Sequence, residues 1–354
     1  MRIRVEKLSD KMKKKIFCYS LGLILEKGKK TCTQMSKAIW GAHDFLYRAF
    51  HASDFVIKEI PNLLIHFANL KHKENAGWLI VDDTVISKIF SKIIVGVHDL
   101  YNSSLGRPDR GLCMIVLAWS NGLITIPLKL KFVFSRAIAG KHFKSKSELA
   151  QEMILDVLGK VRFKYLLADA HYSTKTKLLP FLVKHNIKFL MKITRSKIIK
   201  NKLCRYKIKE HHALRLKRNS RSAKVTAFLD DMFLNFVISK SKDKNGVYRT
   251  RYFVTNMSFK SRECEKMYDG RWEIEEMFRT FKQSLGLQDC MARSIEKQTT
   301  HAYLIFFAYT FLQNKKLSKN FDNPEASVKW LAGLKLGSAM SSIKAFSRNF
   351  LCFA

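Results

Sequence analysis

The chain is short of negative charge. Its 354 residues carry 29 Asp and Glu against 65 Lys and Arg, a formal net charge of +36. Such an excess calls for a polyanionic partner, with nucleic acid the first candidate and an anionic membrane surface the second. Long hydrophobic runs are missing too. A membrane helix needs roughly 18 or more consecutive apolar residues. The best stretches, 16–25 and 302–312, are broken by Tyr19, Ser20 and Gly22 and by Thr310. They read as core helices, and the membrane partner falls away. The seven cysteines (18, 32, 113, 204, 264, 290, 352) form no C-x-x-C pair and are odd in number and scattered. Neither a disulfide scaffold nor a structural zinc centre is expected, and the thiols read as reduced, in a cytosolic protein. The basic start, residues 1–15, has no small-residue cleavage site after its apolar run, so no signal peptide is read. Internal repeats and low-complexity tracts are absent. What is plentiful is hydrophobic residues, 47% with 12% aromatic, enough for a sizeable core and against disorder.

Residues 1–75 show helical periodicity through Met12, Ile16, Tyr19, Leu23 and Leu25, with Gly28 as a stop and further helices over 34–40, 44–50 and 63–70. Pro61 is placed near a helix start, where its missing N–H costs little. The period then changes. Short apolar runs at 78–81 and 112–119 read as strands, the first ending in Asp82-Asp83-Thr84. Asn121-Gly122 marks a hairpin into a third strand over 123–134. Ser145 and Glu148 form a capping box for a helix closed by Gly159. A fourth strand, 165–168, ends at Asp169. A helix over 174–185, interrupted near Pro180, leads to a fifth strand over 187–193. Five strands in mixed orientation with helices on both faces make a ribonuclease-H-like α/β core.

Residues 195–224 hold twelve Lys and Arg against one acid, Glu210. Alternation at 214–217 suggests a strand with one basic face, and 233–239 and 247–255 read as strands around Asn245-Gly246. The expected organisation is a helical DNA-binding domain (1–75), a first catalytic segment (76–194), a strand-rich basic insertion (195–257), the rest of the catalytic domain (258–322) and a C-terminal segment (323–354). His211-His212 reads as surface or DNA contact, and Asp230-Asp231 as turn residues.

The most informative stretch runs from Tyr268 to Lys282. At about 100° per residue of helix, Tyr268, Arg271, Glu275 and Lys282 share an arc of roughly 60°. Ile274, Met277, Phe278, Phe281 and Leu285 form the opposite, buried stripe. Glu273 and Glu276 fall off the polar arc, so phasing selects Glu275. The spacing Y-x2-R-x3-E-x6-K resembles the signature of bacterial insertion-sequence DDE transposases, in the branch marked by a Tyr-Arg-Glu-Lys helix. Asp82-Asp83-Thr84 resembles that family's first acidic motif. Ala168-Asp169-Ala170-His171-Tyr172 resembles its second, and the likeness spans about residues 78–312.

The resemblance implies metal-dependent cleavage of DNA at an element's inverted-repeat ends, then strand transfer, cut-and-paste, often through a hairpin on the ends. It implies a catalytic and metal-binding triad of Asp83, Asp169 and Glu275 around two Mg2+ or Mn2+ ions, suited to hard carboxylate oxygens. Strand alternation lets only one of Asp82 and Asp83 face the metal. The family pattern favours Asp83, with Asp82 the alternative. Tyr268, Arg271 and Lys282 are the expected phosphate contacts, a homodimer on two ends the expected assembly, and the bacterial cytoplasm, at the nucleoid, the expected place. Phe228, Phe233, Phe236 or Tyr248 could stack a flipped base, as some relatives do. Two other readings stay open: an inactive DNA-binding derivative, and a general ribonuclease-H-like nuclease.

Overall fold

A computed structural model describes residues 10–351, except 40, 175–176, 201–203, 212–215, 217–219 and 243–245. Four helices open the chain: α1 (Asp10–Leu25), α2 (Cys32–Ala38), α3 (His43–Tyr47) and α4 (Ser53–Glu74). Thr31 caps α2 by accepting from the Gln34 N–H. Pro61 does not start a helix; it lies inside α4, which begins at Ser53. The sequence reading was misled because Pro usually breaks a helix. Here Ile60, Leu63 and Leu64, all buried, hold the helix through the lost hydrogen bond.

The sheet follows. Strand β1 (Trp78–Ser87) pairs antiparallel with β3 (Arg107–Ser120). On the far side of β3 lie β2 (His98–Asn102), beside its first half, and β4 (Thr125–Val133), beside its second. The β3–β4 hairpin turns where expected. Asn121 Oδ1 accepts from the Leu123 and Ile124 N–H groups, and Gly122 takes φ +83°, which glycine adopts without strain. Short α5 (Arg136–Ala139) precedes α6 (Lys146–Val157), which opens on the Ser145–Glu148 capping box and is followed by Gly159 at φ +77°. Then come β5 (Leu166–Ala168), α7 (Ala170–Thr174), α8 (Leu178–Lys184) and β6 (Phe189–Lys192). Pro180 sits in the first turn of α8, where no N–H is needed. β5 and β6 run parallel to β1, so the order β4-β3-β1-β5-β6 is that of a ribonuclease-H-like sheet.

Strands β7 (Ile198–Lys200), β8 (Arg205–Lys207), β9 (Ser222–Leu229), β10 (Met232–Lys242) and β11 (Tyr248–Thr255) continue the same sheet, because β11 pairs antiparallel with β6. The 214–217 alternation lies largely outside the described residues, as do His212 and Asn245. His211 is buried against the Tyr206 ring, not at the surface, since an imidazole can fill an apolar gap. Asp230 and Asp231 form the β9–β10 turn, Asp230 with φ +52°. Helices α9 (Cys264–Asp269), α10 (Trp272–Gln283), α11 (Ile295–Lys319), α12 (Pro324–Ala332) and α13 (Leu336–Leu351) complete the chain.

Helix α11 is buried almost all round from Gln298 to Gln313 and packs against α1, α4, α12 and β4, so it is the central post of the core. No helix among the described residues is long and apolar enough to cross a membrane. The fully enclosed His301 joins α11 to α1: the Tyr19 hydroxyl donates to its Nδ1 at 2.8 Å, and its Nε2 donates to the Gly286 carbonyl at 3.2 Å. Burial pushes its pKa down to about 4. As pH falls the unfolded chain takes up the proton first, so this contribution is whole above pH 6.5 and lost towards pH 4, up to about 3 kcal/mol. Urea midpoints followed over pH 4–7 test this. His301→Gln should remove that acid-side loss, so the gap between wild type and variant should widen as pH rises to 6.5 and then level off.

Candidate active site

The two acidic motifs come together because β1 outruns its parallel neighbour. β5 stops at Ala168, whose partner on β1 is Val81. Asp82 and Asp169 therefore both lie one residue past the last parallel pair. β1 itself continues to Ser87, held only by β3, so its acids are mid-strand and not at a strand end as the sequence suggested. The apolar run stops at Val81, but pairing with β3 carries the strand further.

The third element is not one helix. α9 and α10 are separate, with Gly270 and Arg271 at the corner. The Trp78 indole N–H donates to the Gly270 carbonyl at 3.3 Å, and a Cβ at residue 270 would lie 2.7 Å from the Trp78 ring. Glycine lets the corner press onto β1. Arg271 is thereby aimed at Asp82: its Nη1 donates to Asp82 Oδ2 at 2.7 Å, and its Nη2 to Glu275 Oε1, one turn along α10. The guanidinium is nearly enclosed and its Nε makes no hydrogen bond. The Tyr268 hydroxyl is 3.4 Å from both Asp169 Oδ1 and the Ala168 carbonyl, and the Tyr268 ring centroid is 5.6 Å from the Arg271 Cζ. Asp82, Asp169 and Glu275 thus gather around Tyr268 and Arg271. The expected buried stripe, Ile274 to Phe281 on α10 and Leu285 just beyond its end, faces the core.

Burial raises the Asp82 pKa to about 7. Arg271 opposes the rise, and the charges of Asp83 and Asp169 add to it. Asp83 points to the other face. It accepts from Lys146 Nζ at 2.7 Å and the Tyr172 hydroxyl at 3.3 Å, with Cys113 Sγ at 3.6 Å. It ties β1 to α6 and to α7, the helix that begins directly after Asp169. Strand alternation puts Asp82, the alternative first acid, on the face of Asp169 and Glu275, and Asp83 on the other.

Tyr268 is 3% exposed and packed on Phe253, with its hydroxyl towards Asp169. Lys282 is half-buried beside Asp109 on β3, apart from the gathered carboxylates; burial lowers its pKa and Asp109 opposes this. The reading of the sequence missed Lys192, the last residue of β6. Its ammonium lies 5.2 Å from the Tyr268 ring centroid, and it feels Asp169 and Glu275 as well as Arg271 and Arg251. Burial lowers its pKa, with Asp169 the largest opposing influence. Only its place next to the second acid across the parallel pair would have revealed it.

A ribonuclease-H-like sheet with carboxylates gathered past the ends of its parallel strands defines an enzyme of nucleic-acid phosphodiesters as the class. The family model described as DDE superfamily endonuclease matches residues 5–201, more than half of the chain, and that described as Transposase DDE domain matches residues 143–311. The chain belongs to the DDE superfamily endonucleases, and as an enzyme it is a DDE-type transposase. No curated protein matches it.

DDE-type domains generally use divalent metal ions. Among the described residues no three His, Cys, Asp or Glu side chains stand close enough to hold one as they are. A guanidinium spans Asp82 and Glu275. The donor set fits a hard cation, since Asp82, Asp169 and Glu275 offer only carboxylate oxygens. A metal taken up there has to displace Arg271 and, below pH about 7, the Asp82 proton. Mn2+ affinity, read by isothermal titration calorimetry, should accordingly rise as pH is raised through about 7. Asp82→Asn should weaken binding and flatten that dependence.

Proposed function

We propose that the protein is the transposase of a bacterial insertion sequence, of the Tyr-Arg-Glu-Lys branch. It recognises the inverted-repeat ends of its own element, cuts there and joins the freed ends to target DNA by a cut-and-paste route. The observation that supports this reading is the approach of Asp82 and Glu275 to one buried arginine, with Asp169, just past β5, held at the neighbouring Tyr268. These three residues would hold two Mg2+ or Mn2+ ions. When bound, the ions supply the Lewis acidity that activates the attacking oxygen and offsets charge on the leaving one.

The chain's own residues supply the rest. Tyr268 keeps Asp169 in place, and Asp83 fixes β1 against α6 and α7. Arg271, released from Asp82 and Glu275, offers its planar fork to a phosphate, and Lys192 a mobile point charge. Lys282 serves the path of the DNA beyond Asp109. The helices of 1–75 would bind the element end, the core would comprise 76–194 and 258–322, and 195–257 and 323–354 would flank it. Two copies would hold two ends, in the cytoplasm at the nucleoid.

Nicking of a plasmid carrying the element's ends, with Mg2+ or Mn2+, tests the reading. Asp82→Asn, Asp169→Asn and Glu275→Gln should each cost about a hundredfold or more in rate while DNA binding persists. Asp83→Asn should keep most of the cutting. Normal cutting by the Asp169 or Glu275 variant would sink the triad. Equal cutting of arbitrary duplex would point to a general nuclease, and no cutting at all to an inactive derivative.

A further inference from the structure

We propose that the outer end of the β9–β10–β11 sheet is a cradle for DNA backbone phosphates, distinct from the carboxylate centre. It rests on the reading that the protein works on duplex DNA and adds where a second stretch of that duplex is held.

Four cations surround a recess of about 370 Å3: Arg221, Lys240, Lys242 and Arg262. They are exposed, and among the described residues none of them forms an ion pair. Lys240 and Lys242 project from the same side of β10, two residues apart. Lys242 stands opposite Tyr248 in the β10–β11 register, and the two ammoniums lie 5.3 Å (Lys242) and 5.1 Å (Lys240) from the Tyr248 ring centroid. The Lys240 N–H donates to the Arg221 carbonyl at 2.8 Å, which brings Arg221 alongside. Arg262 comes from the turn 261–263, fastened to β9 by the Ser222–Ser261 hydroxyl pair at 2.9 Å.

The one carboxylate that lines the recess among the described residues, Glu265, is already engaged. It accepts from the Ser239 and Ser241 hydroxyls at 2.8 and 2.5 Å, and from Arg251 at 2.8 Å. Among the described residues, therefore, the four positive groups outnumber the single negative one and have no ion-pair partner of their own. An anion offsets that excess. The recess is shallow and its cations stand on separate elements, which suits successive phosphates of a strand laid across it better than one enclosed anion. Contacts of this kind fix position on the duplex and carry no sequence information.

The test uses the full chain and a fluorescein-labelled duplex of about 40 base pairs and arbitrary sequence, in EDTA so that nothing is cut, with anisotropy read across NaCl concentrations. Each lost phosphate contact lowers the slope of log Kobs against log salt by about 0.9. Lys240→Gln with Lys242→Gln should flatten the slope by about 2 and weaken binding at least about tenfold at low salt, whatever the sequence. Arg221→Gln with Arg262→Gln should act in the same direction. Lys240→Arg with Lys242→Arg should keep the wild-type slope, which separates lost charge from a disturbed fold. Unchanged slope and affinity in both Gln pairs overturn the cradle. A wild-type chain that shows no salt-dependent binding overturns the DNA reading itself, a different outcome from the first.

Discussion

One guanidinium organises the centre. Arg271 spans Asp82 on the central strand and Glu275 on the helix that crosses it, and nearly all of it is out of water. Two part-buried carboxylates facing each other would repel, and the arginine between them offsets that repulsion. The cost is a site already filled by a cation of the protein's own. The same charge that stabilises the folded chain competes with the ions that its family uses. The competition resolves if the arginine moves to a phosphate, since the DNA then replaces the partners it gives up.

The positions of the acids follow from strand lengths. β5 contributes only three residues, and its end leaves β1 unpaired on that side from Asp82 onwards. Side chains past that point have room to face a substrate, the general reason that sites lie beyond the carboxyl ends of parallel strands. Asp83, one residue on, is turned away by strand alternation and is used instead to anchor α6 and α7. Neighbouring acids with the same chemistry thus take opposite tasks.

Much of this was legible in the sequence. The Asn121-Gly122 hairpin, the Ser145–Glu148 box, the apolar stripe of α10 and the mixed five-stranded core rest on local rules that tertiary packing respected. Glu275 was singled out by phase alone and does meet Asp82 through Arg271. Other features were hidden for physical reasons. Asp82 and Asp83 differ only in which face they take, and that depends on pairing with β3. The break between α9 and α10 at Gly270 was hidden, because no local signal shows that Trp78 will press there. Lys192 is one basic residue among many until β6 is laid beside β5.

The insertion does not hang from the core as a separate lobe; β11 hydrogen-bonds directly to β6, the strand that ends at Lys192. A continuous pleated layer therefore connects the outer basic strands to the carboxylates. That layer would act as a gauge under the proposed reading: a duplex gripped at its rim would be set at an offset from the carboxylates fixed by the strands between them.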